Sequence, residues 1–132
     1  MTTVVTIDLG TGGPKVGFVT TQGDVLWWEH TTVETTLGPG GLASQDANQW
    51  WDVILASLAR GLRAVPAAQI GAIAITGQWA STIPVDEAGL PTGPCMMWLD
   101  ERGGPLSKAL VGGPLMDYHA ARLATWLRRS GA

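Results

Sequence analysis

The sequence predicts an α/β domain with a mixed β-sheet, and three patterns carry that prediction. β-branched residues grouped around glycine turns near the N-terminus are typical of antiparallel strands. Apolar residues then recur at three- and four-residue spacing, which indicates a helix. A nearly all-apolar run of strand length follows, as expected of a parallel strand. The chain has 132 residues, of which 45% are hydrophobic and 14% are charged, so we expect one folded domain.

The first elements are predicted to form an antiparallel meander of three strands. Residues 4–7 form the first strand, which ends in a glycine turn, and residues 15–20 return as the second. A turn at residues 22–24 leads to a third strand over 25–33.

A loop and a helix are predicted next. Residues 37–42 contain three glycines and a proline, which break either periodicity and favour a loop. Asp46 has the residue type of an N-cap, with Gln49 at the capping-box position, and the helix should end near Val65, before Pro66. Its predicted inward stripe is Trp51, Ile54, Leu55, Leu58 and Leu62.

The second half continues the α/β pattern. Residues 70–76 are predicted to form a central parallel strand that is covered on both faces, and residues 81–86 and 94–98 to form a strand pair. A final helix is predicted over residues 115–127. The order β-β-β-α-β is compatible with a ribonuclease-H-like layer flanked by helices.

Charge and composition exclude several classes of partner. The net charge is −3 and the basic residues are scattered, so no nucleic acid is expected to bind. No apolar run approaches the roughly 18 residues of a membrane span, and the N-terminus lacks a signal-peptide pattern. The single cysteine, Cys95, is typical of a reducing compartment. We therefore predict a cytoplasmic protein that does not enter a membrane.

The first candidate site is the turn that joins the first two predicted strands. A carboxylate at a strand end, glycines that admit positive φ and a nearby cation are the groups that bind phosphate and Mg²⁺. The alternatives are an ordinary hairpin turn and a solvated lysine. The candidate residues are Asp8, Gly10, Thr11, Gly12, Gly13 and Lys15, with Asp8 as the metal ligand.

The second candidate site follows the apolar strand, where ligand sites of α/β sheets tend to lie. It combines an amide, indoles, a hydroxyl and a charged pair, whose alternatives are a polar loop with packed tryptophans and a surface salt bridge. Its residues are Gln78, Trp79, Ala80, Ser81, Trp98, Asp100 and Arg102. His30 and His119 have no partners at metal or nucleophile spacing and are predicted to be structural.

In their order, these segments resemble the FGGY-type carbohydrate kinases, and within them the xylulokinase-like branch, over about residues 4 to 130. The resemblance implies two ribonuclease-H-like, actin-type domains with ATP and a sugar or polyol between them. The matching segments are IDLGTGGPK (7–15), SQD (44–46), WW (50–51), IAITGQ (73–78), VDEAGLP (85–91) and WLDER (98–102).

The resemblance also implies roles for single residues. Asp8, Gly10, Thr11 and Gly12 would meet the transferred phosphate and its Mg²⁺. The sugar pocket would be lined by Gln78, Trp79, Ala80, Trp98 and Asp100. Residues 1–132 would be the N-terminal part of the first domain, with the nucleotide-binding second domain and the catalytic base following Ala132. We therefore expect no catalytic base within this chain, and no turnover by residues 1–132 alone.

The sequence departs from the family pattern at three places. Gly12 stands where Ser or Thr is frequent, Pro14 removes a backbone N–H, and Trp79-Ala80 replaces the Met-His pair of xylulokinases. The sugar therefore stays open among pentoses, hexoses and polyols. Two alternatives also stay open, an actin-like ATPase that acts on no sugar and a stand-alone, non-catalytic ligand-binding domain. A homodimer is left open as well.

Overall fold

The computed structural model describes residues 2–102 and Arg128, and the predicted helix over 115–127 lies outside them. The chain divides into two compact units, the first from Met1–Val33 with Asn48–Gln78, the second from Glu34–Ala47 with the residues from Trp79 onward. Among the described residues, no helix is long and apolar enough to cross a lipid bilayer. In chain order the elements are β1 (Thr3–Gly10), β2 (Gly13–Thr20), β3 (Val25–His30), β4 (Thr36–Gly38), β5 (Leu42–Gln45), α1 (Ala47–Ala64), a 3-10 turn (Ala67–Gln69), β6 (Ile70–Gly77) and β7 (Cys95–Met96).

The first unit is built on a four-stranded sheet of order β3-β2-β1-β6. Strands β1, β2 and β3 pair antiparallel in sequence order, so the predicted meander is confirmed. Strand β6 pairs parallel with β1. The sheet is therefore mixed, as predicted, and β1 and β2 are its inner strands.

Strand β3 ends at His30, three residues before the predicted end at Val33. The backbone N–H of Thr31 donates to the Pro14 carbonyl over 3.0 Å. In a regular antiparallel pair the opposite residue returns this hydrogen bond, but proline has no N–H to donate. The ladder is therefore left incomplete at Pro14, and the strand stops there.

One face of this sheet packs against helix α1. Val5 and Ile7 of β1 alternate with half-buried positions, and Val16 and Phe18 of β2 point to the same face, as the period of two requires. The Phe18 and Trp27 rings meet edge to face at 5.7 Å. The buried members of this core are Val5, Ile7, Val16, Phe18, Ile54 and Val65.

Helix α1 begins one residue after Asp46 and ends within a residue of the prediction, but of its predicted apolar stripe only Ile54 and Leu58 pack against the core. Trp51, Leu55 and Leu62 are exposed. The buried positions are Trp50, Ile54, Ser57 and Gly61. A Cβ added to Gly61 would lie 2.7 Å from Cζ of Phe18 and closer still to its Cε2. The helix therefore has a glycine at its contact with Phe18, because that ring occupies the space that a larger side chain would need.

Strand β6 was correctly predicted as a parallel strand but not as a central, covered one. Within residues 2–102 and Arg128 it lies at the edge of the sheet, next to β1 alone. Ile73 is 62% exposed and Ile75 is 68% exposed. Of the apolar side chains of β6, Ile70 packs against the core, whereas Ile73 and Ile75 do not.

The second unit contains a hairpin that was predicted to be a loop. Strands β4 and β5 pair antiparallel, and Gly40 and Gly41 between them have φ values of 72° and 78°. The glycines thus form the turn of a hairpin rather than interrupting structure. Strand β7 pairs with β5, while the predicted pairing of 81–86 with 94–98 is reduced to a single bridge between Thr82 and Met96.

Replacement of Gly61 by alanine is expected to lower the free energy of unfolding by about 1–3 kcal/mol, because the new methyl group overlaps the Phe18 ring. Helix propensity alone would favour alanine by about 1 kcal/mol. The sign of the change in the free energy of unfolding therefore distinguishes helix propensity from overlap with Phe18. Chemical denaturation of the purified protein measures the change. In a Phe18→Leu background the same substitution should cost less, and an equal cost in both backgrounds would contradict the packing explanation.

Candidate functional site

The first candidate site lies at the end of β1, where the chain turns back into β2. The strand register places Asp8 directly opposite Lys15, and Gly10 opposite Gly13. Nζ of Lys15 donates to Oδ2 of Asp8 over 3.0 Å in an exposed ion pair. Exposed pairs of this kind contribute roughly 0–1 kcal/mol, so the two charges can rearrange around a ligand at little cost.

The absence of a side chain at Gly10 leaves a small space beside this ion pair. A Cβ added there would lie 3.0 Å from Nζ of Lys15 and 3.6 Å from Oδ2 of Asp8. A cation and a carboxylate therefore border the same space, which suits a phosphate oxygen and a Mg²⁺ ion. In the part of the chain that is described, no three His, Cys, Asp or Glu side chains group together as metal ligands. Mg²⁺ bound mainly by water and phosphate oxygens needs only one or two carboxylates, so Asp8 fits this role.

The two adjacent glycines of the turn are held differently. Gly13 is buried with φ of 128°, and a Cβ there would overlap the Thr31 carbonyl oxygen and lie 3.0 Å from Cα of Thr32. Gly12 is exposed, and a Cβ there would meet only Nε2 of His30, at 3.9 Å. Gly13 is therefore required by close backbone packing, whereas Gly12 leaves room for a side chain. Thr11 is exposed beside Gly12.

Gln78 connects the end of β6 to the turn between β1 and β2. Its side-chain Nε2 donates to the Gly10 carbonyl over 3.4 Å. Because β6 runs parallel to β1, the carboxyl ends of both strands lie at the same edge of the sheet. The structure therefore brings together Asp8, Gly10, Lys15 and Gln78 of the two predicted sites.

The remaining predicted substrate residues belong to the second unit. Trp79 is 74% exposed, and Ala80 has φ of 57°, a left-handed conformation that is unusual for alanine. Oγ of Ser81 accepts a hydrogen bond from the backbone N–H of Trp98 over 3.1 Å. This hydrogen bond joins the segment that follows Ala80 to the segment that carries Trp98.

Asp100 and Arg102 form a buried ion pair, not the surface salt bridge that was one interpretation of the sequence. The Asp100 side chain is 0% exposed. Its Oδ2 accepts from Nη2 of Arg102 over 2.6 Å and from the backbone N–H of Ala43 over 3.1 Å. Burial raises the pKa of Asp100, but the hydrogen bonds from Arg102 and Ala43 outweigh it and hold the pKa below its usual range. Asp100 thus joins its own segment to β5.

Sequence reasoning missed a polar cluster between β3 and α1, formed by Glu29, Ser57 and Arg60. Ser57 lies on the buried face of the helix, three residues after Ile54 and four before Gly61. A small polar residue at that spacing was the available signal, but a hydrophobic stripe ignores small residues.

The mixed sheet has the actin-like ATPase fold, as do the solved kinase structures to which the chain is similar. The chain belongs to the FGGY family of carbohydrate kinases, whose model for the N-terminal domain matches residues 3–129.

Individual relatives agree with this assignment. A xylulose kinase from Staphylococcus xylosus is 28% identical over 102 residues, which make up 77% of this chain and 21% of that protein. The crystal structure of a xyloylose kinase from Brucella ovis superposes with a TM-score of 0.78 at 22% identity, over 96% of this chain and 29% of that one. Plasmodium falciparum glycerol kinase with ADP gives a TM-score of 0.82 at 18% identity, over 98% and 29%. The chain thus spans about a fifth of the length of the curated relative, and the two structures support the fold.

A pair of neighbouring substitutions tests the geometry of the turn. Gly13→Ala is expected to lower the free energy of unfolding by at least about 2 kcal/mol, because it combines an unfavourable φ with overlap on the Thr31 carbonyl. Gly12→Ser, one residue away, should change it by less than about 0.5 kcal/mol. Denaturant titration of both variants measures the difference. Equal effects of the two substitutions would show that the close approach of Thr31 does not constrain the turn.

The buried Asp100 should make stability depend on pH. Because its pKa is lowered in the folded protein, its contribution is present above the ordinary aspartate pKa and is lost as the pH falls through the lowered value. Asp100→Asn should lower the free energy of unfolding at neutral pH by about 2–3 kcal/mol. The free energy of unfolding of the variant should then fall less steeply as the pH is lowered. Unfolding free energies measured between neutral and acid pH provide the test. Parallel curves for the two proteins would contradict a stabilising carboxylate.

Proposed function

We propose that residues 1–132 are the N-terminal part of the first domain of an ATP-dependent kinase that phosphorylates a hydroxyl group of a sugar or polyol. Membership of the FGGY family supports the reaction class. The observation that carries the proposal is the pairing of Asp8 with Lys15 beside the side-chain-free space at Gly10. In this proposal the second domain and the catalytic base follow residue 132, and residues 1–132 alone do not turn over.

Phosphoryl transfer depends mostly on positioning and on neutralising negative charge, and the turn offers groups for both. Mg-ATP, when bound, supplies the γ-phosphoryl group and the charge of the metal ion. Lys15 would then donate to a phosphate oxygen, while Asp8 would hold the hydrated metal ion. Gly12, an exposed residue of the turn, would offer its backbone N–H to a further phosphate oxygen.

The sugar would be bound by the segments that follow β6 and β7. Trp79 and Trp98 offer flat apolar faces to a sugar ring, while Gln78 and Ser81 offer polar groups to its hydroxyls. Xylulose kinase and glycerol kinase are both among the similar proteins, so we propose a sugar or polyol as the substrate without naming one compound. A cytoplasmic location is proposed with this function, because ATP and phosphorylated sugars are handled there.

The proposal is tested by ADP release from the complete protein in a coupled assay, with pentoses, hexoses and polyols offered in turn. We expect at least one of them to stimulate ADP release in the presence of Mg²⁺. Asp8→Asn should lower the kcat of sugar-stimulated ADP release by about 100-fold or more, because it removes a charge that positions the metal ion. Asp52→Asn, on an exposed position of α1, is the matched control and should keep full activity.

Each alternative has its own outcome in this experiment. ATP hydrolysis that no sugar stimulates would favour an actin-like ATPase that acts on no sugar. Sugar binding without turnover, by a protein that unfolds cooperatively, would favour a stand-alone binding domain. Failure of every sugar and polyol to stimulate ADP release would overturn the kinase proposal.

A further inference from the structure

The backbone of residues 31–33 lies directly against the turn between β1 and β2, the proposed phosphate turn. The N–H of Thr31 donates to the Pro14 carbonyl over 3.0 Å, and the N–H of Val33 donates to the Gly12 carbonyl over 3.4 Å. The Thr31 carbonyl also occupies the space that a side chain at Gly13 would need. The path of residues 31–33 therefore limits the positions that the turn can adopt.

Helix α1 holds Thr31 through a buried hydroxyl group. Oγ1 of Thr31 lies 3.4 Å from Oγ of Ser57, which is only 2% exposed. Ser57 Oγ donates to Oε2 of Glu29 over 2.9 Å, and a hydroxyl has a single proton. Thr31 must therefore be the donor to Ser57. The hydrogen bond of Thr31 thus depends on an acceptor that Glu29 has oriented.

Arg60 completes the cluster and fixes the charge of Glu29. Its Nη2 and Nε donate to Oε2 of Glu29 over 2.7 Å and 2.9 Å, and its Nη2 also donates to Ser57 over 3.2 Å. The hydrogen bond from Arg60 lowers the pKa of Glu29, and the hydrogen bond from Ser57 adds to this against the opposing effect of burial. Glu29 is therefore ionised at neutral pH, and Ser57 keeps its proton directed toward it.

We propose that Glu29, Ser57 and Arg60 position the phosphate turn through Thr31, a role that rests on the proposed kinase function. None of the three is placed in the turn, so they are positioning residues. The order of contacts runs from the Arg60 guanidinium through Glu29 and Ser57 to Thr31, and then through backbone hydrogen bonds to Gly12 and Pro14. Loss of a hydrogen bond in this series should let the turn adopt positions in which its N–H groups no longer point at the phosphate.

A purely structural role for the cluster makes a different prediction. In that case its loss would lower stability and leave the binding of ATP unchanged. Residue Thr31 separates the two roles, because valine has the shape of threonine without the hydroxyl, and serine keeps the hydroxyl without the methyl group. Thr20 offers a matched control at the opposite end of β2, where its Oγ1 donates to Asp24 over 3.2 Å.

The test measures KM for ATP, KM for the sugar and Tm for Thr31→Val, Thr31→Ser, Ser57→Ala and Thr20→Val in the complete protein. We expect Thr31→Val and Ser57→Ala to raise KM for ATP by about 3- to 10-fold, the effect of one lost hydrogen bond, with KM for the sugar changed less than about 2-fold. Thr31→Ser should restore the KM for ATP. Thr20→Val should lower Tm without changing either KM.

A second readout separates this proposal from the kinase proposal. Hydrogen exchange of the backbone amides in residues 10–16 reports the order of the turn whether or not the protein turns over. Thr31→Val should accelerate that exchange, and Thr20→Val should not. Unchanged exchange and unchanged KM for ATP in both Thr31→Val and Ser57→Ala would overturn the positioning role. If the wild-type protein shows no sugar-stimulated turnover, the kinase function fails, and the exchange rates alone decide the positioning role.

Discussion

Strand β1 pairs antiparallel with β2 on one side and parallel with β6 on the other, and the candidate site depends on this double pairing. Strand β2, the antiparallel partner, places Lys15 opposite Asp8. Strand β6, the parallel partner, ends at the same edge of the sheet, where Gln78 donates to the Gly10 carbonyl. A slip of one residue in either pairing would move the Asp8 side chain to the face that α1 covers. Burial of Val5 and Ile7 opposes such a slip, because it would expose both of them. The hydrophobic core therefore fixes the geometry of the polar site, because it holds β1 in register.

Local patterns were sufficient to predict the strands β1, β2 and β6, the bounds of α1 and the turn that joins β1 to β2. Each of these depends on residues that are close in sequence, such as alternating apolar positions or a glycine run. The inward face of α1 could not be predicted in this way, because it depends on the contact between Gly61 and Phe18, 43 residues earlier. Glycine and serine add almost nothing to a hydrophobic stripe, yet here they lie on the most closely packed face of the helix.

The candidate site shows the same limit. Asp8, Gly10 and Lys15 were found from sequence because one turn contains them all. Asp100 could equally be interpreted as a surface charge or a substrate ligand, since its bond to the Ala43 N–H joins residues 57 positions apart. The left-handed backbone of Ala80 gave no signal, because alanine is common in every other conformation. The Glu29, Ser57 and Arg60 cluster was missed for a related reason, as Glu29 and Arg60 are ordinary surface residue types that lie far from each other in sequence and meet beside the buried Ser57.

The exposed strand β6 has a practical consequence for handling this chain. Its sequence, IGAIAITG, carries no charge and no proline, the two features that natural edge strands use to prevent pairing with other molecules. Within residues 2–102 and Arg128, one backbone edge of this strand faces no partner strand. At high protein concentration such an edge is a template for intermolecular β-sheet formation. A lysine placed at exposed Ala72 or Ala74 would add the kind of charge that natural edge strands use against such pairing.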